Sequence, residues 1–288
     1  MMDAIDKSTL FANRVAVIAT MHQKEQVMAP ILEQELNVKI LVLHMNTDEF
    51  GTFTRDVKRP GDQCQTARLK AEQAMALTGQ TLGFASEGTF GPHPMIPYLP
   101  YNREVVMLVD REHHLEIWGQ AFSTTTNYSH TLVKNIEEAQ AFAQKAGFPQ
   151  HGLVVMANPD VVQATQMIKG ISTEAQFVDV VTWMLSKFGH AHIETDMRAM
   201  YNPTRMKVIA EATQDLIKKV NQCCPQCNCP GFDVVEHIKG LPCRLCHFPT
   251  ELTLISIYHC KRCKFRQEIR FPDKQETADP AQCRYCNP

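Results

Sequence analysis

Long apolar runs are missing from this sequence. The longest, such as Val15-Ala16-Val17-Ile18-Ala19, span a handful of residues, whereas a helix needs about 20 to cross a bilayer. No membrane span or membrane partner is therefore expected. The opening Met1-Met2-Asp3-Ala4-Ile5-Asp6 lacks the basic and apolar regions of a secretory signal. An excess of one charge is missing too: the formal net charge is −2. That argues against non-specific nucleic-acid binding by the surface as a whole. Before Cys223 the only cysteine is Cys64, so a disulfide framework is not expected there. A cytoplasmic location follows as the expectation, and in a reducing compartment clustered cysteines read as metal ligands.

What is present falls into two parts. The 288 residues suffice for one sizeable α/β domain and a small appendage. The expected division is residues 1–222, a ligand-binding or catalytic α/β domain, and residues 223–288, a small β-rich domain. The expected fold is a mixed sheet flanked by helices, followed by that β-rich domain with two four-cysteine zinc sites.

The first part alternates strand and helix signals. Arg14–Thr20 and Val38–His44 are β-branched runs. Between them Val27, Ile31, Leu32 and Leu36 recur at helical spacing, with Pro30 predicting a kink or a late start. This is a βαβ pattern. A helix is predicted over Gln65–Gly79, and Arg68 and Lys70 in its first half could reach an anion. A hairpin is predicted over Arg103–Phe122, and helices over Lys134–Gly147 and Thr173–Phe188. Asn202 as N-cap and Pro203 at the first helical position open a last helix to about Asn221.

The active centre is expected at Ala85-Ser86-Glu87-Gly88-Thr89-Phe90-Gly91-Pro92-His93-Pro94, read as a loop leaving a short strand over Thr81–Phe84. Its glycines would let a backbone approach a ligand. Two other polar stretches sit at strand ends, where open α/β sheets bind ligands. One is Met45–Thr54, carrying Asp48 and Glu49. The other is Thr195–Arg205, whose Asp196, Arg198 and Arg205 suit a phosphate or carboxylate clamp.

The second part carries the most specific signal. Four Cys-x-x-Cys knuckles occur: Cys224 with Cys227, Cys243 with Cys246, Cys260 with Cys263, and Cys283 with Cys286. Two knuckles complete a closed tetrahedral site, so two structural zinc ions are expected. Strands predicted over Phe232–Ile238, Glu251–Tyr258 and Lys264–Phe271 separate the knuckles. An antiparallel meander would bring knuckles one and three to one end, and two and four to the other. A nested arrangement, two with three and one with four, is the alternative. Lys261, Arg262, Lys264, Arg266 and Arg270, with Tyr258 and Phe265 among them, are the candidate surface for a nucleic-acid or protein partner.

The motifs Gly51-Thr52-Phe53-Thr54, Ala85–Pro94, Thr195–Ala199, Asn202–Met206 and the ending Cys283-Arg284-Tyr285-Cys286-Asn287-Pro288 resemble a bacterial family known as domain of unknown function 6671. That resemblance implies no activity. A fainter one links the first two hundred residues to pyrophosphatases that hydrolyse inosine and xanthosine triphosphates. Thr20–Lys24, Thr66–Ala71, Ser86-Glu87-Gly88 and Thr195–Arg198 are similar to that family's motifs in the same order. One acid, Glu87, stands where the family has two.

The function expected from both lines is magnesium-dependent hydrolysis of a nucleotide or related phosphorylated small molecule. Glu87, Asp48, Lys70, Asp196 and Arg198 are the candidate catalytic residues. Lys24, Arg205 and His93 would bind the ligand. Magnesium would join the two zinc ions, held by Glu87 with Asp48 or Glu49. A different reading makes His22 and His93 ligands of a catalytic metal. The alternative function is a non-catalytic zinc-ribbon adaptor for nucleic acid or a protein.

Overall fold

The computed structural model describes residues 10–51, 57–158 and 166–288. Thr52, Phe53 and Thr54 of the motif above lie outside them. The described residues form two compact units. One is Ala12–Ile217; the other is Lys218–Pro288, joined by the described N-terminal residues. Among the described residues, no helix is long and apolar enough to cross a membrane.

The larger unit holds two sheets and the helices that cover them. The first sheet has the order β2-β1-β3-β4-β5. It comprises β1 (Val15–Thr20), β2 (Lys39–His44), β3 (Leu82–Pro92), β4 (Pro100–Asp110) and β5 (Leu115–Ser123). Strand β1 runs parallel to both β2 and β3, whereas β4 and β5 are antiparallel additions, so the sheet is mixed. Helix α1 (Glu25–Leu36) follows β1 and buries Met28, Leu32 and Leu36, and Pro30 is accommodated inside it. Helix α2 (Gln63–Thr78) starts at a capping box, with Asp62 and Gln65 bonding reciprocally. It ends at Gly79, whose φ of 70° is left-handed.

The two faces of this sheet are covered differently. On one, Ala67, Ala71, Ala74 and Met75 of α2 pack on Val17, Ala19 and Ala85. On the other lies helix α5 (Pro203–Asn221). A Cβ at Gly119 of β5 would stand 2.1 Å from Leu216 N. Only a glycine lets that helix approach so closely.

The second sheet, β6-β9-β7-β8, is wholly antiparallel. It comprises β6 (His130–Val133), β7 (Leu153–Met156), β8 (Met167–Ile171) and β9 (Ala191–Thr195). Helices α3 (Ile136–Ala146) and α4 (Glu174–Phe188) cover its apolar face, with Phe142, Phe177, Val181 and Met184 packed against Leu153, Ile171 and Ile193. Thr173 caps α4 through Gln176 N, as its position predicts.

The smaller unit is a three-stranded antiparallel meander of β10 (Asp233–Lys239), β11 (Thr253–His259) and β12 (Arg266–Arg270). Buried Phe232 packs on Tyr258 and on Phe265, at centroid separations of 5.5 and 5.9 Å.

One sequence expectation needs correction here. Ala85–Pro92 is not a loop: β3 continues through it, fully paired to β4 from Leu82↔Asp110 to Pro92↔Pro100. The glycines and Pro92 mimic a loop signal because they sit in a long hairpin arm, where pairing overrides weak local propensity.

Candidate functional site

The parallel arrangement of β1, β2 and β3 sends their C-terminal ends to one edge of the sheet. Strand β1 connects to β2 on one side, and β3, reached from β2, lies on its other side; at such a reversal a sheet of this kind leaves a crevice. The turn after β1 supplies His22 and Lys24. The short 3-10 turn Thr47–Phe50 after β2 supplies Thr47 and Asp48. The continuing β3 supplies Glu87, Gly88 and Phe90. Lys70 comes from α2, Lys169 from β8, Arg198 from the segment after β9, and Arg205 from the first turn of α5. Arg59 completes a cavity of about 120 Å³. Drug-sized ligand pockets run to roughly 300–1,000 Å³, so this one suits a compact polar group.

Alternation along β3 explains how the charges are shared. Glu87 lies two residues beyond Ala85 and so faces α2. There Lys70 Nζ reaches Glu87 Oε2 at 2.6 Å, and Arg59 holds Oε1 at 2.7 Å. Gly88, on the opposite face, pairs with Glu104 in register. Arg205 crosses that glycine to bond Glu104 at 2.8 Å and lies over the Phe90 ring. A Cβ at Gly88 would sit 2.5 Å from both the Arg205 guanidinium and the Glu104 carboxylate. Asp196 is buried and binds Arg198 Nη2 at 2.7 Å.

The field in the cleft is positive. Six cationic side chains line it: Lys24, Arg59, Lys70, Lys169, Arg198 and Arg205. Asp48 and Glu87 line it with them, and Glu104 and Asp196 lie behind. With Lys24 charged, these ten groups sum to two positive charges. Burial, followed by the charges of Lys24, Arg205, Arg198 and Lys70, drives the His22 imidazole down to a pKa of about 3. His22 is therefore neutral at pH 7, and its buried Nε2 has no hydrogen-bond partner among the described residues. Burial alone would raise the Glu87 carboxyl, but Lys70, Lys24 and Arg59 outweigh it and hold it below the usual carboxylate range.

The cleft gathers Lys24, Asp48, Lys70, Glu87, Arg198 and Arg205 from distant parts of the chain, with Asp196 immediately behind. It does not gather His93, which lies beyond the end of β3, edge-on to Tyr101 at 5.2 Å. His22 and His93 therefore do not form a shared metal site. Arg68 pairs with Glu116 at 3.6 Å and does not line the cleft. Glu87, expected to hold magnesium, has both oxygens engaged by cations. Sequence reading missed Arg59, Lys169 and Glu104. Only Glu104 left a signal: it is a carboxylate in the strand Arg103–Asp110, followed by the apolar run Val105–Val109.

In the smaller unit the knuckles meet as a meander imposes. Cys224, Cys227, Cys260 and Cys263 form one group; Cys243, Cys246, Cys283 and Cys286 form the other. Sulfurs about 2.3 Å from a tetrahedral zinc lie about 3.8 Å apart. Cys224–Cys263 and Cys227–Cys260 are separated by 3.7 and 3.6 Å. Cys243–Cys286 and Cys246–Cys283 are separated by 3.8 and 3.5 Å. Backbone N–H groups of Leu245 and Cys263 donate to Cys243 and Cys260, which favours the thiolate. Both groups could hold zinc.

Fold and site together define an α/β protein with a cationic cleft at its strand ends and a β-rich unit with two four-cysteine groups. The family model described as "Domain of unknown function (DUF6671)" matches residues 70–288, well over half of the sequence. The chain belongs to that family. No curated protein matches it.

Proposed function

We propose that the cleft binds the phosphate group of a small phosphorylated molecule, and that two zinc ions fold the cysteine-rich unit. The observation that carries the first part is the set of six basic side chains converging on a small cavity, beside the buried His22 Nε2, which has no hydrogen-bond partner among the described residues. A neutral imidazole can donate that N–H to a phosphate oxygen. Arginine forks bind such oxygens in pairs.

The magnesium-dependent hydrolysis expected from the sequence is the chemical extension of this reading. Asp48, which lines the cleft, would supply a carboxylate to a magnesium ion, which favours one or two carboxylates plus phosphate. The zinc reading rests on sulfur spacings that match a tetrahedron, and closed sites of this kind hold structure and perform no chemistry. Equilibrium binding of pyrophosphate, with and without magnesium, tests the cleft. Saturable binding that Arg198→Ala weakens at least tenfold is expected; no binding in either condition rejects the reading. A nucleoside-triphosphate panel tests hydrolysis, and metal analysis tests the zinc.

A further inference from the structure

Lys24 stands apart from the other cations. Its side chain is buried, and Nζ donates to a peptide carbonyl, Ser86 O, at 3.2 Å. Among the described residues it forms no ion pair. The carboxylates around it are engaged elsewhere. Glu87 of β3 takes Lys70 of α2 and Arg59. Glu104 of β4 takes Arg205 of α5. Asp196, after β9, takes Arg198. His22, two residues before, faces Asp48 of the turn after β2 at 3.7 Å, and Lys169 of β8 closes the lining. Burial, reinforced by Arg205 and Lys70 and opposed by Glu104 and Glu87, pushes the Lys24 amine down to a pKa of about 7.

We propose that Lys24 selects the charge of the ligand: above neutral pH it is mostly a neutral amine in the empty cleft and takes up one proton when a compact tetrahedral dianion enters. This rests on the anion-binding reading above and narrows its ligand to a phosphate monoester or terminal phosphate. The dianion brings the counter-charge that Lys24 lacks. The proton comes from solvent to the Nζ lone pair, and no other bond forms or breaks. A carboxylate monoanion brings half that charge and drives the uptake less. Affinity must then fall as pH rises above the range where the free amine is protonated.

Sulfate is the probe, because it stays a dianion across the neutral range and adds no titration of its own. Calorimetry of the full chain in two buffers of different protonation enthalpy counts the protons. The expected uptake is about 0.9 proton per sulfate at pH 8 and about 0.1 at pH 6, with affinity falling nearly tenfold from pH 8 to 9. Lys24→Met should bind more weakly and take up none, while His22→Gln should keep the uptake. Sulfate binding without uptake at pH 8, or undiminished uptake in Lys24→Met, overturns the role of Lys24 and leaves the anion site standing. Failure of sulfate and pyrophosphate to bind at any pH overturns both.

Discussion

Lys70 Nζ lies 2.6 Å from Glu87 Oε2, and both side chains are almost wholly buried. A buried ion pair is costly to break from one side, because the remaining charge is left without its partner; the loss is about 3–5 kcal/mol. Glu87 therefore has a structural task as well as a place in the cleft. Glu87→Gln is expected to lower the melting temperature clearly, since it strands Lys70 and Arg59 together. Added sulfate should restore more stability to this variant than to the parent protein at the same concentration. Equal sulfate effects on both proteins would show that the anion does not enter beside Lys70.

Gly88 is where Arg205 and Glu104 meet over bare backbone. Gly88→Ala is expected to push that pair apart and weaken pyrophosphate binding at least tenfold. Its thermal stability should also fall by about 1–3 kcal/mol, the usual cost of overpacking. Titration calorimetry and thermal unfolding read the two effects separately.

Asp110 joins the start of the first sheet to its far hairpin. Its carboxylate accepts from Arg14 Nη2 at 2.9 Å and from the backbone of Glu112 and His113. Burial alone would raise the carboxyl, but the Arg14 and His113 bonds pull it below its ordinary value. A depressed carboxyl contributes stability above the unfolded pKa and loses it as pH falls through the folded one. Asp110→Asn should therefore be less stable than the parent by about 1–3 kcal/mol at pH 7. The gap should begin to shrink as pH falls past the ordinary carboxyl value of 3.8 and close only below the depressed folded value. Denaturant melts across that range check the sign.

Cys243→Ser removes one ligand from the group that includes Cys283 and Cys286. The expected metal content falls from two zinc ions to one, with local protease sensitivity in the cysteine-rich unit, because metal binding and folding are coupled there. Two ions with unchanged protease resistance would mean that this sulfur is not a ligand.

The sequence made the knuckle strands legible, because the spacing of Cys-x-x-Cys pairs is a local pattern and a meander fixes which ends meet. The helix starting at Pro203 was legible for the same reason: Asn202 accepts from Arg205 N within one turn. Ala85–Pro92 misled because a glycine-rich hairpin arm and a loop share a composition. Its partner strand, not its own residues, decides between them. Lys24, Lys70 and Arg205 each stood out, but the cleft that joins them depends on register and helix placement across the unit. Arg59 and Lys169 lie outside any local motif, so only the fold brings them in.

The crossed pairing of the knuckles also imposes a timetable. The first four-cysteine group is complete once synthesis reaches Cys263, whereas the second must wait for Cys286. Cys243 and Cys246 lie inside the loop that the first group closes. As the chain is made, two thiols of the later group wait within that loop, unpaired with their partners until the last knuckle arrives. The same interlock works in reverse on metal loss: freeing the first group opens the loop that holds half of the second, so chelation should proceed more cooperatively than two independent fingers would allow.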